Sequence, residues 1–268
     1  MGKRMKIGIT TLLYHKRGFF KCLDDIARIG YEYVELNCVR GYYGHFNSIQ
    51  LADSPELLEM IANALKKNNL KCSGVDCHGL YQGPRFDMRY TEEYTEATIK
   101  IAKAVGAPMV ITSYPHGDAT WEERVNGTRR LAQMARAEGL GFAVEAEGGF
   151  AISNSTTMQK FIDDVGDGLV TVNFDPSHYM VAGEDPVEVL RKFRNELGHV
   201  HFKEYTDGKH SAYYKGTPDS VADRVLRELA SWPYDGVVSV ETLADICDEP
   251  EAMSREIFAG IQKRLKEF

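Results

Sequence analysis

Eight short apolar segments recur along the chain, and each is followed by a stretch with the period of a helix. Regular alternation of strand and helix is typical of a parallel sheet. The 268 residues contain no linker or low-complexity tract that would divide them. We therefore predict a (β/α)8 barrel, or TIM barrel, formed by residues 1–268 as a single domain. The predicted strands are Lys6–Thr10, Tyr33–Leu36, Ser73–Asp76, Met109–Thr112, Phe142–Glu145, Thr171–Phe174, His199–Phe202 and Val237–Val240.

Capping residues mark several helix starts. We predict side-chain N-caps at Ser54, Thr120 and Asp185, because these side chains can accept a hydrogen bond from an unpaired helix N–H. Glu123 lies three residues after Thr120 and Glu188 three residues after Asp185, which is the spacing of a capping box. The final helix is predicted to pack on the outside of the barrel through four apolar residues on one face, which are Met253, Ile257, Ile261 and Leu265.

The charge balance and the cysteine content exclude several classes of protein. With 32 basic and 39 acidic residues the net charge is −7, and no block of Lys or Arg offers the basic surface that nucleic acid requires. No apolar run approaches the roughly 18 residues of a membrane span, and no signal peptide is recognisable. The five cysteines form no C-x-x-C pair, so we predict reduced core residues. We expect a cytoplasmic protein with a small-molecule ligand, and a homo-oligomer is compatible with the sequence.

Three connections from strand to helix are long, at Cys38–Asp53, His78–Tyr90 and Glu204–Asp219. They are rich in Tyr, His, Arg, Asp and Gly. Long loops at the C-terminal ends of barrel strands are where such barrels build their active sites. We therefore expect the functional site on this face.

Four consecutive predicted strands carry residue types that bind metals at or just beyond their C-terminal ends, namely Glu145, Asp175, His201 and Glu241. Neighbouring strands lie about 5 Å apart, so their C-terminal ends bring these side chains together. Three carboxylates in one small volume repel one another unless a cation offsets their charge. We therefore predict one divalent metal ion at the four side chains. An oxygen-rich shell with one nitrogen favours Mn²⁺, with Mg²⁺ and Co²⁺ as alternatives.

Three further histidines follow predicted strands. His178 comes three residues after Asp175, and we predict a contact with the substrate or with the metal ligands, a structural role being the alternative. His78 and His116 follow the third and fourth strands and are further candidates for substrate contact.

Three segments carry a likeness to a known family. VNFDPSHYMVAGEDP resembles its Asp-x-x-His segment with the following Gly-x-Asp-Pro, HVHFKE resembles its H-x-H-x-K-[DE] strand, and YDGVVSVE resembles its closing strand. Over nearly its whole length the chain resembles the sugar-phosphate isomerase/epimerase family of xylose-isomerase-like barrels, which includes inosose dehydratases, hydroxypyruvate isomerases and ketose 3-epimerases. The resemblance implies metal binding by the four strand-end residues. It also implies that Glu145 and Glu241 form an acid/base pair and that His178 contacts the substrate.

The sequence departs from the family pattern at two places. Ala146 and Glu147 replace a frequent Asn-His, which brings a further carboxylate near the site. Ketose 3-epimerases usually have an Arg soon after the strand-seven histidine, whereas residues 205–207 here read Tyr-Thr-Asp. Lys203 and Glu204 instead resemble the Lys-Asp pair of inosose dehydratases. Lys203 is therefore a candidate substrate contact, with an ion pair at the strand end as the alternative.

The expected chemistry is proton transfer on a carbohydrate. A metal that chelates a carbonyl oxygen and an adjacent hydroxyl stabilises the enediolate formed when the intervening C–H loses its proton. Glu145 and Glu241 would take and return that proton, which gives isomerisation or epimerisation of a keto-sugar or related polyol. Loss of a β-hydroxyl would instead give dehydration of a keto-inositol or keto-sugar. The metal ligands alone do not separate these reactions.

Two other classes of function share the predicted fold. Abasic-site endonucleases use this barrel with three metals, but they need more His ligands and a basic groove that a net charge of −7 disfavours. A metal-free sugar-binding or partner subunit is the non-catalytic alternative. Nucleotide binding has no support, because neither a G-x-G-x-x-G after the first strand nor a P-loop occurs.

Overall fold

The computed structural model of the protein describes residues 5–39, 44–78, 86–115, 117–205, 214–242 and 248–268. Eight parallel strands close into a barrel in sequence order, and the eighth strand pairs with the first. The predicted (β/α)8 barrel is confirmed. All three long connections predicted from the sequence, at 38–53, 78–90 and 204–219, lie partly outside the described residues.

The strands agree with the predicted segments to within two residues. Four of them are longer at one end than predicted, because backbone pairing continues past the apolar run. The bounds are β1 Lys6–Thr10, β2 Tyr33–Asn37, β3 Lys71–Asp76, β4 Met109–Thr112, β5 Gly141–Glu145, β6 Thr171–Phe174, β7 Leu197–Phe202 and β8 Val237–Val240.

Helices surround the barrel, and two short ones, α2 and α7, lie in connections from strand to helix. A 3₁₀ helix at Thr11–Tyr14 follows β1. The α-helices are α1 Phe19–Ile29, α2 Ser48–Ala52, α3 Pro55–Lys67, α4 Met88–Val105, α5 Trp121–Ala137, α6 Ser155–Val165, α7 Pro176–Val181, α8 Pro186–Lys192, α9 Val221–Ala230 and α10 Pro250–Leu265.

The three predicted N-caps have different outcomes. Thr120 and Glu123 form the expected capping box. Asp185 accepts a hydrogen bond from the backbone N–H of Val187 at 2.8 Å, but the box prediction is wrong because Glu188 pairs with Arg191 instead. The prediction for Ser54 is also wrong. Its hydroxyl donates to the carbonyl of Gln50 at 3.0 Å, since the preceding helix α2 ends directly beside it.

The core lies between the barrel and its helices. The last helix packs as predicted, with Ile257 and Ile261 buried. The four cysteines within the described residues are free thiols in the interior, which are Cys22, Cys38, Cys72 and Cys77; Cys247 lies outside the described residues. None of the helices that the structure describes is both long and apolar enough to span a membrane.

Strand periodicity places polar side chains inside the barrel. Successive residues of a strand point to opposite faces, so residues two apart share a face. Glu35 and Asn37 form such a pair on β2, and His199 and His201 form another on β7. The barrel interior near the C-terminal ends of the strands is therefore lined with groups that ionise or form hydrogen bonds.

Candidate metal centre

The four side chains that the sequence groups together meet at one point. Glu145, Asp175, His201 and Glu241 each offer a ligand atom, and these atoms all lie within 4.8 Å of one another. The side chain of Glu241 is 12% exposed, whereas those of Asp175 and His201 are fully buried. These distances are compatible with one cation about 2.0 to 2.4 Å from each ligand atom.

Four adjacent strands deliver these residues. Glu145 ends β5, where it pairs with Asn173 of β6, and His201 lies opposite Ser239 of β8. Asp175 follows β6 and caps helix α7 with one oxygen, Oδ1, which accepts from the backbone N–H of Ser177 at 2.8 Å. Its other oxygen stays directed to the centre.

Two carboxylate oxygens at the centre fit a cation. Asp175 Oδ2 and Glu241 Oε2 are buried atoms without an aligned hydrogen bond, and the ammonium of Lys203 lies at ion-pair distance from both. Buried polar atoms are nearly always paired, and these two oxygens are held by a positive charge rather than by a hydrogen bond. With Glu145 and His201, they form an oxygen-rich set with one nitrogen, which is suited to a divalent metal ion.

Lys203 lies between the same two carboxylates. Its ammonium is 2.7 Å from Asp175 Oδ2 and 2.6 Å from Glu241 Oε2, at ion-pair distance but without the alignment of a hydrogen bond. Burial alone raises the pKa of Asp175, but the charge of Lys203 holds it below its usual range. Burial lowers the pKa of Lys203, whereas the two carboxylates raise it above its usual range. Lys203 therefore pairs with Asp175 and Glu241, whereas the alternative predicted for it was an ion pair with Glu204 at the strand end.

Glu204 contributes elsewhere. Its Oε1 accepts hydrogen bonds from the backbone N–H of Tyr205 at 3.1 Å and of Ala222 at 3.3 Å. Glu204 therefore holds the start of helix α9, and the described contacts do not pair it with Lys203.

His178 contacts two members of the cluster. Its Nε2 lies 3.1 Å from Glu145 Oε1 and 3.5 Å from Asp175 Oδ2. Its Nδ1 accepts a hydrogen bond from the backbone N–H of Gly148 at 3.1 Å. Because Nδ1 is an acceptor, Nε2 carries the hydrogen and donates it toward the carboxylates.

His78 lies on another side of the centre. Its Nδ1 hydrogen-bonds Asp76 Oδ1, so Nε2 is directed away from Asp76, 4.0 Å from Glu147 Oε1. Burial lowers the pKa of His78, but Asp76 outweighs it and raises the pKa to about 10. The ring stacks on that of His201 with 6.4 Å between centroids. The structure thus brings His78 and Glu147 near the four-residue cluster, while His116 lies outside the described residues.

Sequence reasoning missed Glu35, Asn173 and His199. The carboxylate of Glu35 contacts both histidines of β7, at 2.8 Å from His199 Nε2 and 2.9 Å from His201 Nε2. Burial raises the pKa of Glu35, but the two histidines lower it overall. The amide nitrogen of Asn173 donates to Glu145 Oε2 and contacts His201 Nδ1 at 3.0 Å. The available signal was a charged or amide residue inside an otherwise apolar strand.

Comparisons with known proteins agree with this architecture. The chain matches the xylose isomerase-like TIM barrel family over residues 23–264. An inosose dehydratase of Clostridium perfringens is 25% identical over 142 residues, which cover 53% of this chain and 48% of that protein. The chain thus spans about half the length of the curated relative it matches.

Solved structures with low sequence identity share the fold. A probable 3-DHS dehydratase from Bacillus anthracis, involved in petrobactin synthesis, superposes with a TM-score of 0.76 at 16% identity, covering 96% of this chain and 98% of that one. An L-ribulose 3-epimerase gives a TM-score of 0.76 at 16% identity, with 98% and 95% covered. At this identity the likeness concerns the fold alone.

Proposed function

The chain belongs to the xylose isomerase-like TIM barrel family, and we propose that it is a divalent-metal-dependent isomerase or epimerase of a keto-sugar or related polyol. The related proteins are dehydratases and an epimerase, which supports an enzyme of this general kind. Isomerisation, epimerisation and dehydration all begin with removal of a proton beside a carbonyl group.

The observation that carries the proposal is the arrangement of Glu145 and Glu241 around His201. Glu145 Oε2 lies 2.7 Å from His201 Nδ1 and Glu241 Oε2 lies 3.4 Å from it, and the two carboxylates come from β5 and from the end of β8. A substrate bound over the cluster would have both carboxylates within reach of the C–H beside its carbonyl group. One carboxylate would remove the proton and the other would return it to the opposite face. If the carboxylate that removed the proton returned it to the neighbouring carbon, the product would be an isomer.

Glu145, Asp175, His201 and Glu241 would hold the metal ion, for which Mn²⁺ is our first choice and Mg²⁺ or Co²⁺ the alternatives. When bound, the ion would supply positive charge that stabilises negative charge on substrate oxygens.

Three other side chains are proposed to orient the substrate. His178 Nε2, His78 Nε2 and Lys203 Nζ carry hydrogens near the cluster, so each would donate a hydrogen bond to a substrate hydroxyl or carbonyl oxygen. These bonds would fix which C–H faces the two glutamates.

Dehydration is the second candidate, and the position of Lys203 favours it. The ammonium lies 2.6 Å from Glu241 Oε2, close enough for the two groups to act on the same substrate. Glu241 would remove the proton beside the carbonyl, and Lys203 would protonate the departing β-hydroxyl as water. The match to an inosose dehydratase supports this alternative.

The test is proton exchange in D₂O with Mn²⁺-loaded protein. Ketohexoses and keto-inositols are incubated with the wild type and with Glu145→Gln and Glu241→Gln. Deuterium beside the carbonyl, epimeric product and loss of water are followed by NMR. Each Gln variant is expected to lose a factor of about 10² to 10⁴ in turnover. With two opposed bases, one variant should still exchange the proton that it can reach while product formation stops.

Glu188→Gln is the matched control, because the Glu188 side chain is 69% exposed and pairs with Arg191 on the surface. It should leave exchange and turnover unchanged. Normal turnover of both site variants at saturating Mn²⁺ would refute the two-glutamate mechanism. Water loss without epimer would favour the dehydratase.

A further inference from the structure

A carboxylate that the proposed reaction does not use crosses the barrel interior. Glu35 lies on β2, yet its two oxygens contact His199 and His201 on β7, on the far side of the barrel. Glu35, His199 and His201 are each at most 1% exposed. Among them only His201 also belongs to the four-residue cluster.

These contacts determine where the hydrogen of His201 sits. An ionised carboxylate only accepts hydrogen bonds, so the Nε2 that lies 2.9 Å from Glu35 Oε1 must carry a hydrogen. Nδ1 is then the ring nitrogen that can give up its hydrogen and offer a lone pair to a cation. That atom is the one that faces Glu145 Oε2 at 2.7 Å and Glu241 Oε2 at 3.4 Å. A carboxylate oxygen at 2.7 Å means that Nδ1 also carries a hydrogen while no cation is bound, and binding of a cation would displace that hydrogen.

His199 fixes the orientation of Glu35 in turn. Its Nε2 lies 2.8 Å from Glu35 Oε2, so both oxygens of the carboxylate are engaged by the same strand. The carboxylate therefore cannot rotate away from His201 without losing a second buried hydrogen bond. A buried donor without a partner is destabilising, and this holds the arrangement in one geometry.

We propose that Glu35 is a positioning residue of the metal site, which holds His201 as an Nδ1 ligand through a hydrogen bond to Nε2 and is itself held by His199. The inference rests on the proposed function, because it requires a cation at the four-residue cluster. Carboxylates that orient metal-binding histidines in this way change metal affinity about 10- to 100-fold.

Glu35, His199 and His201 could in principle form a second metal site. A neutral imidazole has one lone pair, however, so His201 serves one ion only. Without His201, this group keeps two ligands among the described residues. One ion per chain is therefore expected.

The test measures Mn²⁺ binding without substrate. Free Mn²⁺ is titrated by electron paramagnetic resonance with the wild type, Glu35→Gln, His201→Ala and the double variant. We expect one Mn²⁺ per wild-type chain and a 10- to 100-fold higher Kd for Glu35→Gln. In the His201→Ala background the same Glu35 change should have no further effect on Kd, which is the coupling that a general loss of stability would not produce.

Asp223→Asn is the matched control. Asp223 is a buried carboxylate that pairs with Arg264 at 2.6 Å, away from the cluster. Its substitution should lower stability and leave the Kd for Mn²⁺ unchanged.

A second measurement uses the wild type and therefore does not depend on whether Glu35→Gln folds. In ¹⁵N NMR of the Mg²⁺-loaded wild type, the hydrogen of His201 should be on Nε2.

The outcomes separate this inference from the proposed function. If Asp175→Asn weakens Mn²⁺ binding and Glu35→Gln does not, the positioning role is wrong and the metal site stands. A hydrogen on Nδ1 of His201 in the Mg²⁺-loaded protein, or two ions per chain with one lost in Glu35→Gln, would also overturn it. Absence of Mn²⁺ binding by the wild type, or binding that Asp175→Asn leaves intact, would overturn both.

Discussion

Replacing Lys203 by Met tests how the protein balances charge at the centre. The substitution removes an ammonium that lies 2.7 Å from Asp175 Oδ2 and 2.6 Å from Glu241 Oε2 and keeps a stem of similar length. The Lys203 side chain is 13% exposed and that of Asp175 is fully buried. Removing one partner of a buried ion pair leaves an uncompensated charge and costs about 3–5 kcal/mol. We expect a loss of this size in the free energy of unfolding of the metal-free protein.

A divalent cation should reverse much of that loss. Bound at the cluster, it would replace the missing positive charge beside Asp175 and Glu241. An ion at 100 times its Kd stabilises the folded wild type by about 2.7 kcal/mol. Lys203→Met should gain more than this at the same Mn²⁺ concentration, because its ammonium no longer repels the ion. The gap in stability between the two proteins should therefore narrow when Mn²⁺ is added.

The assay is urea unfolding, followed by far-ultraviolet circular dichroism, in EDTA and in millimolar MnCl₂. Lys160→Met is the control, because Lys160 and Asp164 form a surface pair with side chains 59% and 36% exposed. Such pairs contribute about 0–1 kcal/mol and should not depend on the metal. A loss below about 1 kcal/mol for Lys203→Met in EDTA would refute the stabilising role of the ion pairs. An equal loss with and without Mn²⁺ would show that the cation does not share these carboxylates.

Three further predictions concern the barrel and its helices. Asp223→Asn should cost about 3 kcal/mol near neutral pH, because Asp223 pairs with the buried Arg264. Burial raises the pKa of Asp223, but Arg264 and Tyr214 lower it overall. A carboxylate with a lowered pKa loses its stabilising effect as the pH falls. The difference in the free energy of unfolding between the wild type and Asp223→Asn should therefore shrink below about pH 4. Thr120→Ala removes the capping box of α5 and should cost about 1 kcal/mol in urea unfolding, so no loss would contradict the assigned cap. Gly198→Ala should lower the free energy of unfolding by about 1–3 kcal/mol, since its Cβ would fall 2.0 Å from Thr171 Oγ1, whereas Gly18→Ala meets no atom within 4 Å and serves as its control.

The strands and the four-residue cluster could be predicted from the sequence because both follow from local rules. Alternating strand and helix segments determine a parallel barrel, and closure then brings the ends of β5 to β8 together. Asp175 and Glu241 follow their strands directly. Their convergence therefore needs no knowledge of loops or side-chain rotamers, and the ligand atoms lie within 4.8 Å of one another, as this reasoning expects.

The features that were missed depend on contacts between distant elements. Glu35 reaches His201 across the barrel, between strands that are not neighbours in the sheet, so pairing rules give no hint of the contact. The wrong cap at Ser54 has a similar cause. Its hydroxyl bonds Gln50 of helix α2, and that five-residue helix lies in a segment predicted as loop.

Several carboxylates are buried beside one another at the centre, and each has a partner that offsets its charge. Glu35 is held by two histidines, and Glu145 by His178 and His201; these partners are fixed to the barrel wall or to the loop beside it. Asp175 Oδ2 and Glu241 Oε2 instead share Lys203, whose charge sits at the end of a flexible four-carbon stem. Among the described groups at the centre, the ammonium is therefore the cation that can withdraw while the barrel stays folded. A divalent ion could take its place, and Lys203 would then be free to contact the substrate.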